Sequence, residues 1–95
     1  MEYVVNLLSR TQGSYVNAYG YYQGKCYMVH GEYYPCHSGN FIDQKVKRYS
    51  SLSRALRGAE SVVEKCGHVR GYEIYEVQDG VNNLVYCYPI SLVFL

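Results

Sequence analysis

The stretch Tyr49–Gly67, YSSLSRALRGAESVVEKCG, decides the fold. Its apolar residues fall at Leu52, Ala55, Leu56, Ala59, Val62, Val63 and Cys66, the three- and four-residue spacing that lines one face of an α-helix. One amphipathic helix is predicted. Ser50 or Ser51 can cap its start through a side-chain oxygen, and Gly67 stands where a left-handed residue ends a helix. A helix of about 15 residues is only ~22 Å long, so it can cover one face of a sheet and little else.

Working outward, Glu2–Leu8 reads as a strand, Ser9–Gly13 as a hairpin loop and Ser14–Tyr22 as a second strand. Gln23-Gly24 reads as a tight turn and Lys25–His30 as a third strand, because apolar and aromatic residues alternate on both sides of the glycine. Gly31–Asn40, punctuated by Gly31, Pro35 and Gly39, reads as the longest irregular stretch. Phe41–Tyr49 is an extended lead-in anchored by Phe41, Val46 and Tyr49. After the helix, Arg70–Val77 and Leu84–Tyr88 read as strands joined through an Asp79-Gly80 turn. Pro89 belongs at an edge or a bend, and the apolar end Ile90–Leu95 is expected to be buried. The sum is one α+β domain over residues 1–95, a mostly antiparallel sheet of about five strands with one amphipathic helix packed on one face. Strands that carry Tyr72 and Ile74 on one side and Tyr75 and Val77 on the other leave part of the second face exposed, paired or used for binding.

Composition excludes several functions. A formal net charge of +1 is neither the strong acidity of a nucleic-acid mimic nor the strong basicity of a general DNA binder. No apolar run approaches the ~20 residues that cross a bilayer, and Met1-Glu2-Tyr3 leads straight into a strand without a basic leader. A soluble, cytoplasmic protein is expected, with Cys26, Cys36, Cys66 and Cys87 reduced and serving as small apolar groups. Cys36-His37 and Cys66-x-His68 carry zinc-type ligands, but no close pair such as Cys-x2-Cys holds two of them together, so neither metal nor cofactor is expected. No glycine-rich phosphate loop, nucleophile elbow or carboxylate pair suggests catalysis.

Two surfaces remain. Lys45, Lys47, Arg48, Arg54 and Arg57 form a positive run at the lead-in and first turns of the helix, where backbone N–H groups also favour anions. Thirteen tyrosines without a tryptophan supply large rigid rings with wet hydroxyls, the side chain that binding surfaces use heavily. Of these, Tyr21, Tyr22, Tyr33 and Tyr34 are the expected partner contacts, with Arg48, Arg54 and Arg57 as charge partners for an acidic patch. The alternative is a small nucleic-acid or nucleotide binder that uses Lys45, Lys47, Arg48, Arg54 and Arg57 for phosphate and a tyrosine for stacking. A homodimer through the open sheet face or the tail Leu92–Leu95 is compatible with either.

The passage DQKVKRYSSLSRAL, Asp43 to Leu56, followed by GYEIYEV, Gly71 to Val77, resembles the layout of short proteins encoded by phages and mobile elements. Many of those are inhibitors of bacterial defence, anti-CRISPR proteins among them. The resemblance implies a non-enzymatic protein that binds a host defence protein stoichiometrically, a CRISPR effector or its guide-RNA complex for example, in the host cytoplasm.

Overall fold

The computed structural model describes residues 1–10 and 16–88. Five strands and one helix occur in the order β1 (Glu2–Arg10), β2 (Val16–Val29), β3 (Glu32–Ser38), α1 (Leu52–Lys65), β4 (Gly71–Gln78) and β5 (Val81–Tyr88). The strands form one sheet in the order β3-β2-β1-β4-β5, with every neighbouring pair antiparallel. The α+β architecture is therefore the one that the pattern predicts. Strand β1 lies at the centre, and Val4, Val5, Asn6, Leu7 and Leu8 are all buried because both of its faces are covered.

Helix α1 begins where Ser51, in extended conformation, accepts a hydrogen bond on its side-chain oxygen from the Arg54 amide, a cap worth about 1 kcal/mol. Ala55, Ala59 and Val62 are its buried residues. Two alanines at four-residue spacing let the backbone approach the sheet, where it packs on Val5, Leu7, Tyr72 and Ile74. The helix ends differently from expectation. Cys66, not Gly67, is the capping residue; it is extended and its N–H reaches the Val62 carbonyl. Gly67 has no positive φ.

The larger correction concerns residues 23–40. The chain does not turn at Gln23-Gly24: β2 runs straight through as a 14-residue strand, and the pairing with β3 slips between Tyr22 and Cys26. Gly24, at φ +85°, sits in that irregularity, where a glycine serves a bulge as readily as a turn. The turn comes at His30-Gly31, both at positive φ, and residues 32–38 return as β3. They read as irregular because Pro35 interrupts the pattern, yet Pro35 lies on an edge strand, where a missing N–H is tolerated. Between Phe41 and Tyr49 the lead-in is mostly turns. Its end joins the sheet through reciprocal backbone hydrogen bonds between Tyr3 and Tyr49, both 2.9 Å, and through the Lys47 amide to the Tyr22 carbonyl at 2.9 Å. The expected Asp79-Gly80 turn is present, with both residues at positive φ. The expected loop at Ser9–Gly13 starts too early, because Ser9 and Arg10 still pair within β1; its remainder at 11–13, Pro89 and the tail 90–95 lie outside the described residues. Among the described residues no helix is long and apolar enough to cross a membrane.

The second face is partly filled. Asn6 donates to the Glu73 carboxylate at 3.0 Å, the Tyr75 hydroxyl donates to the same oxygen at 2.9 Å, and the Tyr21 ring leans on Phe41 and Tyr75 at centroid distances of 6.1 and 6.2 Å. Burial, with the neighbouring carboxylate, holds the Tyr21 and Tyr75 phenols above their ordinary pKa. The exposed apolar groups fall mainly on the two edges of the sheet, at Val81, Leu84, Val85, Tyr86 and Tyr88 of β5 and at Tyr27, Met28, Val29 and Tyr33 of the β2–β3 hairpin.

Candidate functional site

The outer stripe of α1 organises the most distinctive surface. Arg54, Gly58, Ser61 and Lys65 follow one another at intervals of four, three and four residues, so they lie along one side of the helix. At Gly58 the stripe meets Tyr49, whose ring packs so closely that a β-carbon on Gly58 would stand 2.8 Å from Cζ. Tyr49, Arg54, Arg57, Gly58 and Ser61 line an open groove of about 550 Å³. The Lys47 ammonium stands 5.7 Å from the centroid of the Tyr49 ring and brings a third cation to its edge. Burial raises the Tyr49 pKa, which keeps the phenol a neutral hydrogen-bonding group. Three cations, a hydroxyl and a phenol around one concavity suit a carboxylate or phosphate group.

The far end of the stripe is aromatic. Lys65 stands 5.2 Å from the Tyr33 ring centroid. Cross-strand pairing of Tyr27 with Tyr34 stacks their rings at 5.7 Å and 26°. His68, brought round by the turn after Cys66, stacks on Tyr34 at 5.0 Å and 12°. Glu32 fixes this assembly from the hairpin side: the Tyr34 hydroxyl donates to its carboxylate at 2.9 Å, and His68 Nε2 lies 3.7 Å from the same oxygen. That hydrogen bond, ahead of any burial, is what raises the Tyr34 pKa. The His68–Glu32 contact is exposed and contributes under about 1 kcal/mol.

The expected site residues are distributed unevenly over this surface. Lys47, Arg54 and Arg57 gather at the groove. Arg48 does not join them: its guanidinium is half-buried and donates to the Phe41 carbonyl at 2.7 Å, so it anchors the lead-in. Lys45 is exposed, and its amide closes a turn with the Asp43 carboxylate at 2.9 Å. That N–H is also the main reason the Asp43 pKa is lowered. Tyr33 and Tyr34 reach the helix end as described. Tyr22 is only 8% exposed and belongs to the core beneath the helix, which takes it off the exposed surface where it was expected. Tyr21, one residue away, faces the other side of the sheet. The four tyrosines thus fall into a core position, a second-face position and a surface pair.

Tyr27, Tyr49, Ser61, Lys65 and His68 complete the surface and are not among the expected contact residues. The helical residues were legible by spacing, since Arg54, Ser61 and Lys65 share a stripe. Tyr27 and His68 were not, because each stacks on Tyr34, whose place depends on the register of the β2–β3 hairpin. Among the described residues no group of three or more histidine, cysteine or acidic side chains is placed to hold a metal ion. Comparison with protein families, curated proteins and solved structures finds no match to this chain.

Proposed function

We propose that the chain is a non-enzymatic binding protein, of the phage-encoded anti-defence kind its sequence resembles, that inhibits a CRISPR-Cas protein by occupying an acidic surface. The observation that carries this reading is the single stripe of α1, which joins a three-cation groove at Tyr49 to an aromatic assembly at Tyr27, Tyr34 and His68. Exposed cations interleaved with rigid rings are the composition of binding hot spots, where Arg and Tyr are enriched. Stoichiometric occupancy needs no catalytic constellation, and the modest net charge fits a local patch better than a general attraction to polyanions.

The test is capture of partners by the purified chain from lysates that carry CRISPR and other defence systems, with and without nuclease. The proposal expects one defence protein retained after nuclease, inhibited at molar equivalence, and released by Arg54→Glu with Arg57→Glu. Retention of nucleic acid alone, with an affinity that falls steeply with salt, would favour the alternative. That second reading rests on Lys47 over Tyr49 beside Arg54 and Arg57, an arrangement that could hold a phosphate next to a ring.

A further inference from the structure

Cys26 and Cys66 stand apart from the other thiols. Their sulfurs are 3.7 Å apart, one toward the C-terminal end of the long strand β2 and the other at the capping position of α1. Among the described residues no other two cysteine sulfurs are in contact. A disulfide needs sulfurs about 2.05 Å apart, so each has to move by less than ~1 Å, within the reach of a χ1 adjustment. Cys66 is fully buried, whereas Cys26 is partly exposed and packs on the rim of the core. The Tyr22 hydroxyl lies 3.8 Å from the Cys26 sulfur.

We infer that Cys26 and Cys66 are a modification site, a dithiol that a low-molecular-weight disulfide such as oxidised glutathione converts to an intramolecular disulfide. The Cys26 thiolate attacks one glutathione sulfur and expels a glutathione thiolate, leaving a mixed disulfide on the exposed partner. The Cys66 thiolate then attacks the Cys26 sulfur, the protein disulfide forms, and the second glutathione leaves. The two protein thiols are oxidised, one oxidised glutathione is reduced to two thiols, and the two protons lost by the cysteines end on those thiols. The product ties β2 to the C-terminal end of α1. Tyr27 follows Cys26 directly and His68 lies two residues beyond Cys66, so the bond would tie together the two backbone segments that carry the outer rings of the Tyr27–Tyr34–His68 stack, with Tyr34 of β3 between them. This inference concerns the chain alone and holds whichever partner the surface takes.

Burial holds the Cys66 thiol up to about 11, with the hydrogen-bonded Cys26 adding to the shift and Lys65 opposing it. Tyr19 and Tyr22 of β2 are the other titratable groups that face it. Below that value the second step therefore accelerates by about tenfold for each unit by which the pH rises, as the thiolate fraction grows.

The experiment treats the native, reduced full chain with oxidised glutathione, quenches with acid, and measures intact mass and the cross-linked peptides. The inference expects a loss of ~2 Da with no glutathione retained, one peptide pair joining Cys26 to Cys66, and a melting temperature several degrees higher. Cys36→Ser with Cys87→Ser should retain all three results. Cys26→Ser should abolish the mass loss while leaving the circular dichroism spectrum of the fold. Four freely alkylated thiols after oxidation, a link through Cys36 or Cys87, or a link that forms only in denaturant overturns it.

Discussion

Tyr22 and Tyr33 are both tyrosines of the β2–β3 hairpin, yet their truncation should have very different consequences. Tyr22 is 8% exposed and contacts the core formed by Val5, Leu7, Ala59 and Cys66. Tyr22→Ala leaves a ring-sized cavity, and large-to-small changes of this kind cost about 3–5 kcal/mol. A chain of 95 residues has a total stability of about 5–14 kcal/mol, so this one substitution removes about a fifth of it or more. At ~4–8 °C per kcal/mol the midpoint falls by at least about 12 °C. Tyr33 is 37% exposed and its resolved partner is Lys65, 5.2 Å from the ring centroid; Tyr33→Ala loses about 0.5–1 kcal/mol. Tyr22→Phe keeps the ring and removes only the 3.8 Å contact of its hydroxyl with the Cys26 sulfur, so it should cost under about 1 kcal/mol. Urea unfolding of the three variants followed by circular dichroism measures all of these at once. A Tyr22→Ala cost below 1 kcal/mol, or equal costs for Tyr22→Ala and Tyr33→Ala, would refute the division of the tyrosines into core and surface.

Other outcomes follow from the same packing. Gly58→Ala gains about 1 kcal/mol of helix propensity but drives a methyl into the Tyr49 ring, whose backbone is pinned to Tyr3 and cannot retreat. The change should destabilise the wild type by ~1–2 kcal/mol yet stabilise the Tyr49→Ala variant, a sign reversal that a double-mutant cycle in urea detects. Arg54→Glu with Arg57→Glu should leave stability within about 0.5 kcal/mol, because both side chains are exposed and among the described residues neither is ion-paired; thermal melts check this before any binding assay. Burial pushes the Tyr72 phenol up to about 12. The unfolded chain then loses that proton first, so the stability it contributes is complete below pH ~10 and falls by up to ~1.4 kcal/mol per pH unit between pH 10 and 12. Urea midpoints measured across that range should decline, and the decline should be shallower in Tyr72→Phe.

The helix was legible almost to the residue because its apolar period is long and unbroken, and Ala55, Ala59 and Val62 are buried as their spacing requires. The β4–β5 hairpin was legible for a similar reason, since Asp79-Gly80 between apolar runs has few other uses. The β2–β3 hairpin was misread at one point, with consequences for the site. A glycine inside a strand pattern signals either a turn or a bulge, and local sequence does not distinguish Gly24 in its bulge from Gly31 in its turn. Placing the turn at Gly24 turned β3 into a loop and hid the pairing of Tyr27 with Tyr34. The positive run is continuous in sequence but not in space: Arg48, between Lys47 and Tyr49, turns inward to a backbone carbonyl. Which cations converge depends on how the lead-in crosses the sheet, and that path is set by contacts between residues as distant as Tyr3 and Tyr49.

The most direct test of the proposed binding surface is amide hydrogen exchange on the chain, free and bound to the defence protein that we propose as its partner. The account predicts added protection along residues 27–34 and 54–68, where the aromatic assembly and the outer stripe of the helix meet the partner. Protection confined to the exposed edge strand Val81–Tyr88, with the helix unchanged, would contradict it.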